Sequence, residues 1–264
     1  MEVLAIVINW ARSGNVGAIV ERLVPQADVV VVDNSPSGAD TLLADQWRAA
    51  GASIWRIPNN LGPPCRFVPA LSDLDHRYVL FVDDDFLPGD RCVDACLQAA
   101  GLVGGQFATI GQIGRRFVYE HGNWRYRRKN SPRLPSFPCP CDLTCRVHFV
   151  RRDHLWHVLP FRERVAERLP LHASIHDDLL LCLGLQVATS LGSFLIPADG
   201  SQIKVAELDD NQPLNSRRRG HVRERAELIQ EASRLGWRSL WSESWDLWRG
   251  CIPRDQRTEV VEDD

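Results

Sequence analysis

The sequence predicts an α/β fold: a single domain built on a mostly parallel, doubly wound sheet flanked by helices. Three observations carry this. Apolar, β-branched runs alternate with helix-period segments through the first hundred residues, joined by short connections. One of these runs, Tyr78-Val79-Leu80-Phe81-Val82, ends abruptly in Asp83-Asp84-Asp85 and is closed by Pro88. No internal repeat and no strong linker divides the chain of 264 residues, a length one large α/β domain can fill.

Val3 to Ile8 is a buried strand, followed by the polar turn Asn9-Trp10-Ala11-Arg12-Ser13-Gly14 and a helix over Val16 to Leu23. Ala27 to Val32 is a second strand, which runs into the turn-forming loop Asp33-Asn34-Ser35-Pro36-Ser37-Gly38. Thr41 to Ala50 is helical and stops at Gly51, where a left-handed cap is cheap. A short strand, Ser53 to Ile57, leads to Pro58-Asn59-Asn60-Leu61-Gly62-Pro63-Pro64 and then to the strand that ends in the Asp triplet. A helix from Gly89 to Ala100 and a glycine-containing strand region from Val103 to Ile113 follow.

Arg115 to Pro140 mixes aromatic and basic residues and reads as an irregular excursion from the sheet. Asp142 to Val150 returns as one strand, and Asp153 to Trp156 begins a short helix. Asp177 to Leu185 is helical, introduced by His176-Asp177-Asp178. Phe194 to Ile196 and Ile203 to Val205 are late strands, Glu224 to Leu235 is an amphipathic helix, and Trp237 to Trp248 is a candidate for another. The domain is expected over residues 1–253, with a nucleotide-binding half to about 115, and residues 254–264 form an acidic tail expected to fray.

Composition narrows the function. A net charge of −3 argues against a protein that binds polyanions over its whole surface, while leaving local basic patches open. No apolar run is long enough to span a bilayer and no secretion signal is visible, which points to the cytoplasm. Free thiols are then the default for the eight cysteines. Cys139, Cys141, Cys145 and His148 lie within ten residues and could hold zinc. Their spacing matches no common zinc module, and strand alternation would scatter them over two faces.

The Asp triplet is the strongest chemical signal. Adjacent carboxylates repel one another and suit a strand poorly, so folding alone gives little reason for them. They fall at the carboxyl end of a strand, where open α/β sheets bind ligands. Mg²⁺ or Mn²⁺ prefers such oxygen donors and is often shared with substrate phosphates. A polar turn that merely caps the strand is the bland alternative. Asp177 and Asp178 likewise suit a reacting centre, or a helix start where they accept backbone N–H bonds and favour the dipole.

In this order the segments resemble a family. Ile8-Asn9-Trp10-Ala11-Arg12, Val30-Val31-Val32-Asp33-Asn34, Leu61-Gly62-Pro63-Pro64-Cys65-Arg66-Phe67, Val79 to Asp85, Asp142-Leu143-Thr144-Cys145 with Phe149-Val150-Arg151-Arg152, and Ile175 to Leu181 carry the likeness. They resemble the GT-A-type nucleotide-sugar glycosyltransferases, most of all the exostosin-like enzymes of family 64 or the related family 2. The resemblance spans roughly residues 3 to 185. The family has Gly where Cys145 stands here, and Glu where Asp177 stands.

That resemblance implies a GT-A-like, Rossmann-like fold and transfer of a sugar from a nucleotide diphosphate, with a UDP-sugar as the expected donor. It implies that Asn9, Trp10, Arg12, Asp33 and Asn34 hold the nucleoside, with Arg66 near the diphosphate. It implies a divalent ion, Mn²⁺ or Mg²⁺, on Asp85 and Asp83, with Asp84 toward the ribose or donor sugar. Asp178 is the carboxylate expected beside the anomeric carbon, seconded by Asp177. The exostosin-like likeness favours retention of configuration.

The acceptor is open. The basic runs Arg125 to Lys129 and Arg217 to Arg219 could hold phosphates of a nucleic acid, including a modified base in DNA, and a glycan is the alternative. Two other classes stay in view. A nucleotidyltransferase also uses a metal on an α/β sheet but needs a glycine-rich basic loop after the first strand, and residues 9–17 offer only Arg12. A non-catalytic nucleic-acid-binding module leaves the Asp triplet and His176-Asp177-Asp178 unexplained.

Overall fold

The structure is a computed structural model, which describes residues 1–10, 12–35, 41–57, 61–129, 138–196, 206–207 and 221–239. The first half follows the expected rhythm. Strand β1 (Val3–Asn9), helix α1 (Ser13–Leu23), β2 (Asp28–Asp33), α2 (Thr41–Ala49) and β3 (Ser53–Arg56) come in turn. A 3-10 turn (Pro63–Arg66) runs into a short helix α3 (Phe67–Ser72), ahead of β4 (Tyr78–Val82) and β5 (Phe86–Leu87). Helix α4 (Cys92–Leu102) completes this half, and the strand region expected over Val103 to Ile113 shrinks to the two-residue strand β6 (Ile110–Gly111), residues 103–109 being turn and coil.

Two expectations are corrected beyond it. Residues 115–129 are regular: β7 (Ile113–Glu120) and β8 (Asn123–Lys129) form an antiparallel hairpin. Its two-residue turn, His121-Gly122, has both φ angles positive, at 52° and 78°, as a tight hairpin turn requires. The single strand expected from Asp142 is two strands, β10 (Leu143–Cys145) and β11 (Val147–Arg151), preceded by β9 (Cys139–Cys141). Arg146 takes a left-handed backbone, φ 65°, where the chain leaves its pairing with β7 and enters its pairing with β4. A 3-10 turn (Arg152–His157) continues into α5 (Val158–Arg168); α6 (Asp177–Thr189), β12 (Ser193–Leu195), β13 (Ala206–Glu207) and α7 (His221–Arg234) follow. The strand expected at 203–205, the tail from 254 and nearly all of the helix expected at 237–248 lie outside the described residues.

The main sheet has eight strands in the order β3-β2-β1-β4-β11-β6-β12-β9. The four strands β3, β2, β1 and β4 are mutually parallel, and β11 turns antiparallel to β4. Chain order reverses between β1 and β4. Parallel strands covered on both faces must be apolar throughout, and every residue of β1 and of β4 is buried. Strand alternation divides the core in two. Val3, Ala5, Val7, Leu80 and Val82 pack with α1, α2 and α4 on one face, while Leu4, Ile6, Val79 and Phe81 pack with α3 and α6 on the other. A third cluster joins α5, α6 and α7 to Phe117 of the hairpin. Among the described residues, no helix is long and apolar enough to cross a membrane.

Candidate active site

The carboxyl ends of β1, β2 and β4 open at the point where strand order reverses, the crevice in which open α/β sheets take ligands. β1 ends in Asn9, whose Nδ2 donates to Asp33 Oδ1 at the end of β2, 2.9 Å away. The same Asp33 oxygen accepts from Ser35 Oγ at 2.7 Å. Asn34 Oδ1 accepts from the Leu61 amide at 3.0 Å, and its Nδ2 donates to the Gly62 carbonyl at 3.3 Å. Two strand ends are thereby tied to the loop that delivers Arg66. Gly62 is required there: its φ is 78°, and an added Cβ would lie 2.5 Å from the Ser174 carbonyl.

The Asp triplet occupies the turn after β4, and its three carboxylates part company. Asp84 is buried against the loop before α1, accepting from Arg12 Nη1 at 2.6 Å and from the Trp10 amide at 3.2 Å. Asn15 Nδ2 donates to its carbonyl at 2.9 Å. Asp85 stands beside the same guanidinium, 4.0 Å from Arg12 Nη1. Asp83 accepts from Arg66 Nη1 at 2.8 Å, and the Asp85 charge acts on it.

Arg66 couples the triplet to α6. Its side chain, 2% exposed, places Nη2 2.5 Å from Asp177 Oδ2 and lies over the Phe81 ring at 5.5 Å. Burial opposes its charge, but Asp177 and Asp83 outweigh that and raise its pKa. Asp177, at the first turn of α6, is raised by burial, with Arg66 pulling it down and the Asp178 charge pushing it up.

Asp178 differs. Burial alone would raise it, but Arg225 of α7 leads a set of positive and N–H partners that hold it at about 2. Arg225 Nη2 donates to its Oδ2 at 2.8 Å, and the Leu179 amide donates to its Oδ1 at 2.8 Å. The bond from Leu179 is a local helix-start contact made by Asp178 alone, while the N-cap of α6 is His176, which makes no side-chain capping bond. α7 adds a second contact, Glu224 to His176 Nε2 at 3.3 Å. Sequence reasoning missed Arg225, because a contact across 47 residues leaves no local pattern.

A divalent cation suits this donor set. Burial, with the charges of Asp177 and Asp85, outweighs Arg66 and pushes Asp83 up to about 7. Among the described residues, no group of three or more His, Cys, Asp or Glu forms a metal cluster.

The cysteine-rich segment forms no such cluster either. Cys139 and Cys141 pack on Leu195, all three buried, and the cysteines described are free thiols. His148 Nδ1 lies 2.8 Å from Thr144 Oγ1. Of the basic runs, Arg125 is exposed on β8 and the hairpin register sets Arg127 and Arg128 opposite Arg116 and Arg115. Residues 217–219 lie outside the described residues.

No family model matches the chain, and no curated protein matches it. Solved structures share its fold. Residues 1–349 of TarS from S. aureus, in complex with UDP-GlcNAc, align with a TM-score of 0.53 at 13% identity, covering 88% of this chain and 66% of that one. The same segment in complex with UDP aligns with a TM-score of 0.50 at 15% identity, covering 89% and 65%. TarS from S. aureus without a named ligand gives 0.51 and 15%, covering 99% of this chain. The chain thus spans between half and two thirds of those proteins. At such identity the likeness is one of fold, and it establishes the α/β, GT-A-like architecture.

Proposed function

We propose that this chain is a glycosyltransferase that moves a sugar from a nucleotide diphosphate, a UDP-sugar by expectation, to an acceptor hydroxyl or amine. The observation that carries the reading is Arg66: one buried cation bridges Asp83, at the end of β4, to Asp177, at the start of α6. A departing diphosphate and a reacting sugar need such an arrangement side by side. The complexes of the TarS fold with UDP and UDP-GlcNAc support the choice of donor.

In this reading Asn9, Asp33 and Asn34, linked to one another, form the nucleoside end, with Trp10 and Arg12 completing its wall. Asp85 and Asp83 would hold Mn²⁺ or Mg²⁺, which when bound offsets charge on the departing diphosphate. Arg66 supplies fixed positive charge at the same place. As the anomeric carbon–oxygen bond breaks, its electron pair stays with the diphosphate and positive charge grows on the sugar. Asp178, its charge favoured by the ion pair with Arg225, suits stabilising that charge. The exostosin-like resemblance favours retention.

The test is UDP release from a panel of UDP-sugars with Mn²⁺, for the wild type and for Asp178→Asn. Turnover is expected to fall about 10²-fold or more in the variant while UDP affinity stays within a few-fold. Sugar-nucleotide formation from a nucleoside triphosphate and a sugar phosphate, with pyrophosphate released, would instead establish a nucleotidyltransferase.

A further inference from the structure

One more arginine stands at the end of β4. Arg146 lies between β10 and β11 and takes a left-handed backbone, φ 65°. Among the described residues, His121 and Ser190 are the other non-glycines that do so, and each sits where the chain must turn: His121 in the hairpin turn, Ser190 at the C-cap of α6. Arg146 instead falls inside a segment that reads in sequence as one strand. This backbone is disfavoured for any residue with a Cβ, whereas glycine takes it freely. A strained arginine is therefore held in place by what surrounds it.

The surroundings are the Asp triplet and its strand. Cys145 pairs with Ile113 of β7 and Val147 with Val82 of β4, so the chain crosses from the small sheet to the main sheet at Arg146. Its carbonyl accepts from the Asp83 amide at 2.9 Å. Its side chain, half-buried, carries the guanidinium carbon to 5.5 Å from the centre of the Phe86 ring, and Phe86 directly follows Asp85. Arg146 thus meets the triplet at both ends, through its backbone at Asp83 and through its cation at the residue after Asp85.

The ring fixes where the cation lies. A cation over an aromatic face keeps its charge, and a guanidinium keeps a planar fork of N–H donors that matches the paired oxygens of a phosphate or a carboxylate. Folding gives little reason for this combination: glycine would serve the backbone better, and an apolar side chain would cover Phe86. We propose that Arg146 is a further substrate-binding residue of the donor site, contacting an anionic group of the nucleotide-sugar, either a phosphate of the diphosphate or a carboxylate on the sugar. This rests on the nucleotide-sugar reading above. Arg146 would join two arginines already engaged there, Arg12 with Asp84 and Arg66 with Asp83 and Asp177.

Arg146→Gly separates a substrate role from a structural one. It removes the cation and relieves the backbone, so the unfolding midpoint is expected to stay level or rise while ligand affinity falls. Calorimetry in Mn²⁺ reads UDP, UDP-glucose and UDP-glucuronic acid, and proton NMR titration reads uridine, which has no phosphate. If the diphosphate is the partner, UDP and both UDP-sugars weaken about tenfold and uridine by no more than about twofold. If a sugar carboxylate is the partner, UDP and UDP-glucose hold their affinity and UDP-glucuronic acid alone weakens about tenfold. Unchanged affinity for all four, or uridine weakening as much as UDP, overturns the proposal. Arg146→Met, which keeps the Cβ and an unbranched stem, is expected to give the same pattern and decides the matter if the glycine variant does not fold. A wild type that fails to bind UDP refutes the nucleotide-sugar reading itself, and this role of Arg146 with it.

Discussion

Replacing Arg66 by Met removes the charge that joins the two halves of the site while keeping an unbranched apolar stem. The guanidinium contacts Asp83 at 2.8 Å and Asp177 at 2.5 Å, and its own side chain is 2% exposed. Deleting one member of a buried ion pair costs about 3–5 kcal/mol, because the remaining charge is stranded. Water recovers part of this at Asp83, whose side chain is 35% exposed, but little at Asp177, at 11%. The lower end, about 3 kcal/mol at pH 8, is the expected loss. The pH dependence sharpens the test. Both carboxyls are already raised in the folded protein, and losing Arg66 raises them further. A group whose folded pKa lies above its unfolded value stabilises at low pH and loses that contribution as pH rises through the folded pKa. The penalty in Arg66→Met therefore shrinks as pH falls from 8 toward 4, and adding Asp83→Asn recovers part of it at pH 8. Urea unfolding followed by tryptophan fluorescence measures both effects. A loss below about 1 kcal/mol, or one equal at pH 8 and pH 5, would refute the bridge as described.

Two further outcomes concern single positions. His148 has a folded pKa of about 3, below its unfolded value, so stability it holds above pH 6.5 is lost as pH falls. The wild type is expected to lose about 1.4 kcal/mol more than His148→Phe between pH 7.5 and pH 5.5, and parallel curves would contradict a buried neutral ring. Gly62→Ala forces a Cβ to 2.5 Å from the Ser174 carbonyl at a φ of 78°, and is expected to cost about 1–3 kcal/mol in urea unfolding and to weaken UDP binding. A neutral effect on both would mean that the loop carrying Arg66 relaxes freely.

Much of the first half of the chain was legible because its signals are local. The runs at Val3, Val29 and Tyr78 are apolar on both faces, and the Asp triplet marks a strand end without help from any distant residue. The hairpin was harder to see. Its tight turn, His121-Gly122, sits between strands whose alternation is aromatic against basic, so hydrophobic periodicity alone hides it. The break at Arg146 comes from one left-handed backbone angle at a residue whose side chain gives no warning. The contacts that tune the site, Arg225 on Asp178 and Thr109 on Thr144, join residues 47 and 35 positions apart. His148, one of four possible zinc ligands by spacing, is held by a hydroxyl chain that only the folded sheet assembles.

The central claim is a donor site in which the Asp triplet, with a divalent ion, meets a nucleoside diphosphate. Calorimetric titration with UDP, in Mn²⁺ and again in EDTA, tests it most directly, with Asp85→Ala as the control. The account predicts UDP binding in Mn²⁺ that is lost or much weakened in EDTA and in Asp85→Ala, with the variant's unfolding midpoint unchanged. UDP affinity that is the same with Mn²⁺, with EDTA and in the variant would contradict the metal site. Absence of UDP binding under every condition would contradict the donor site itself.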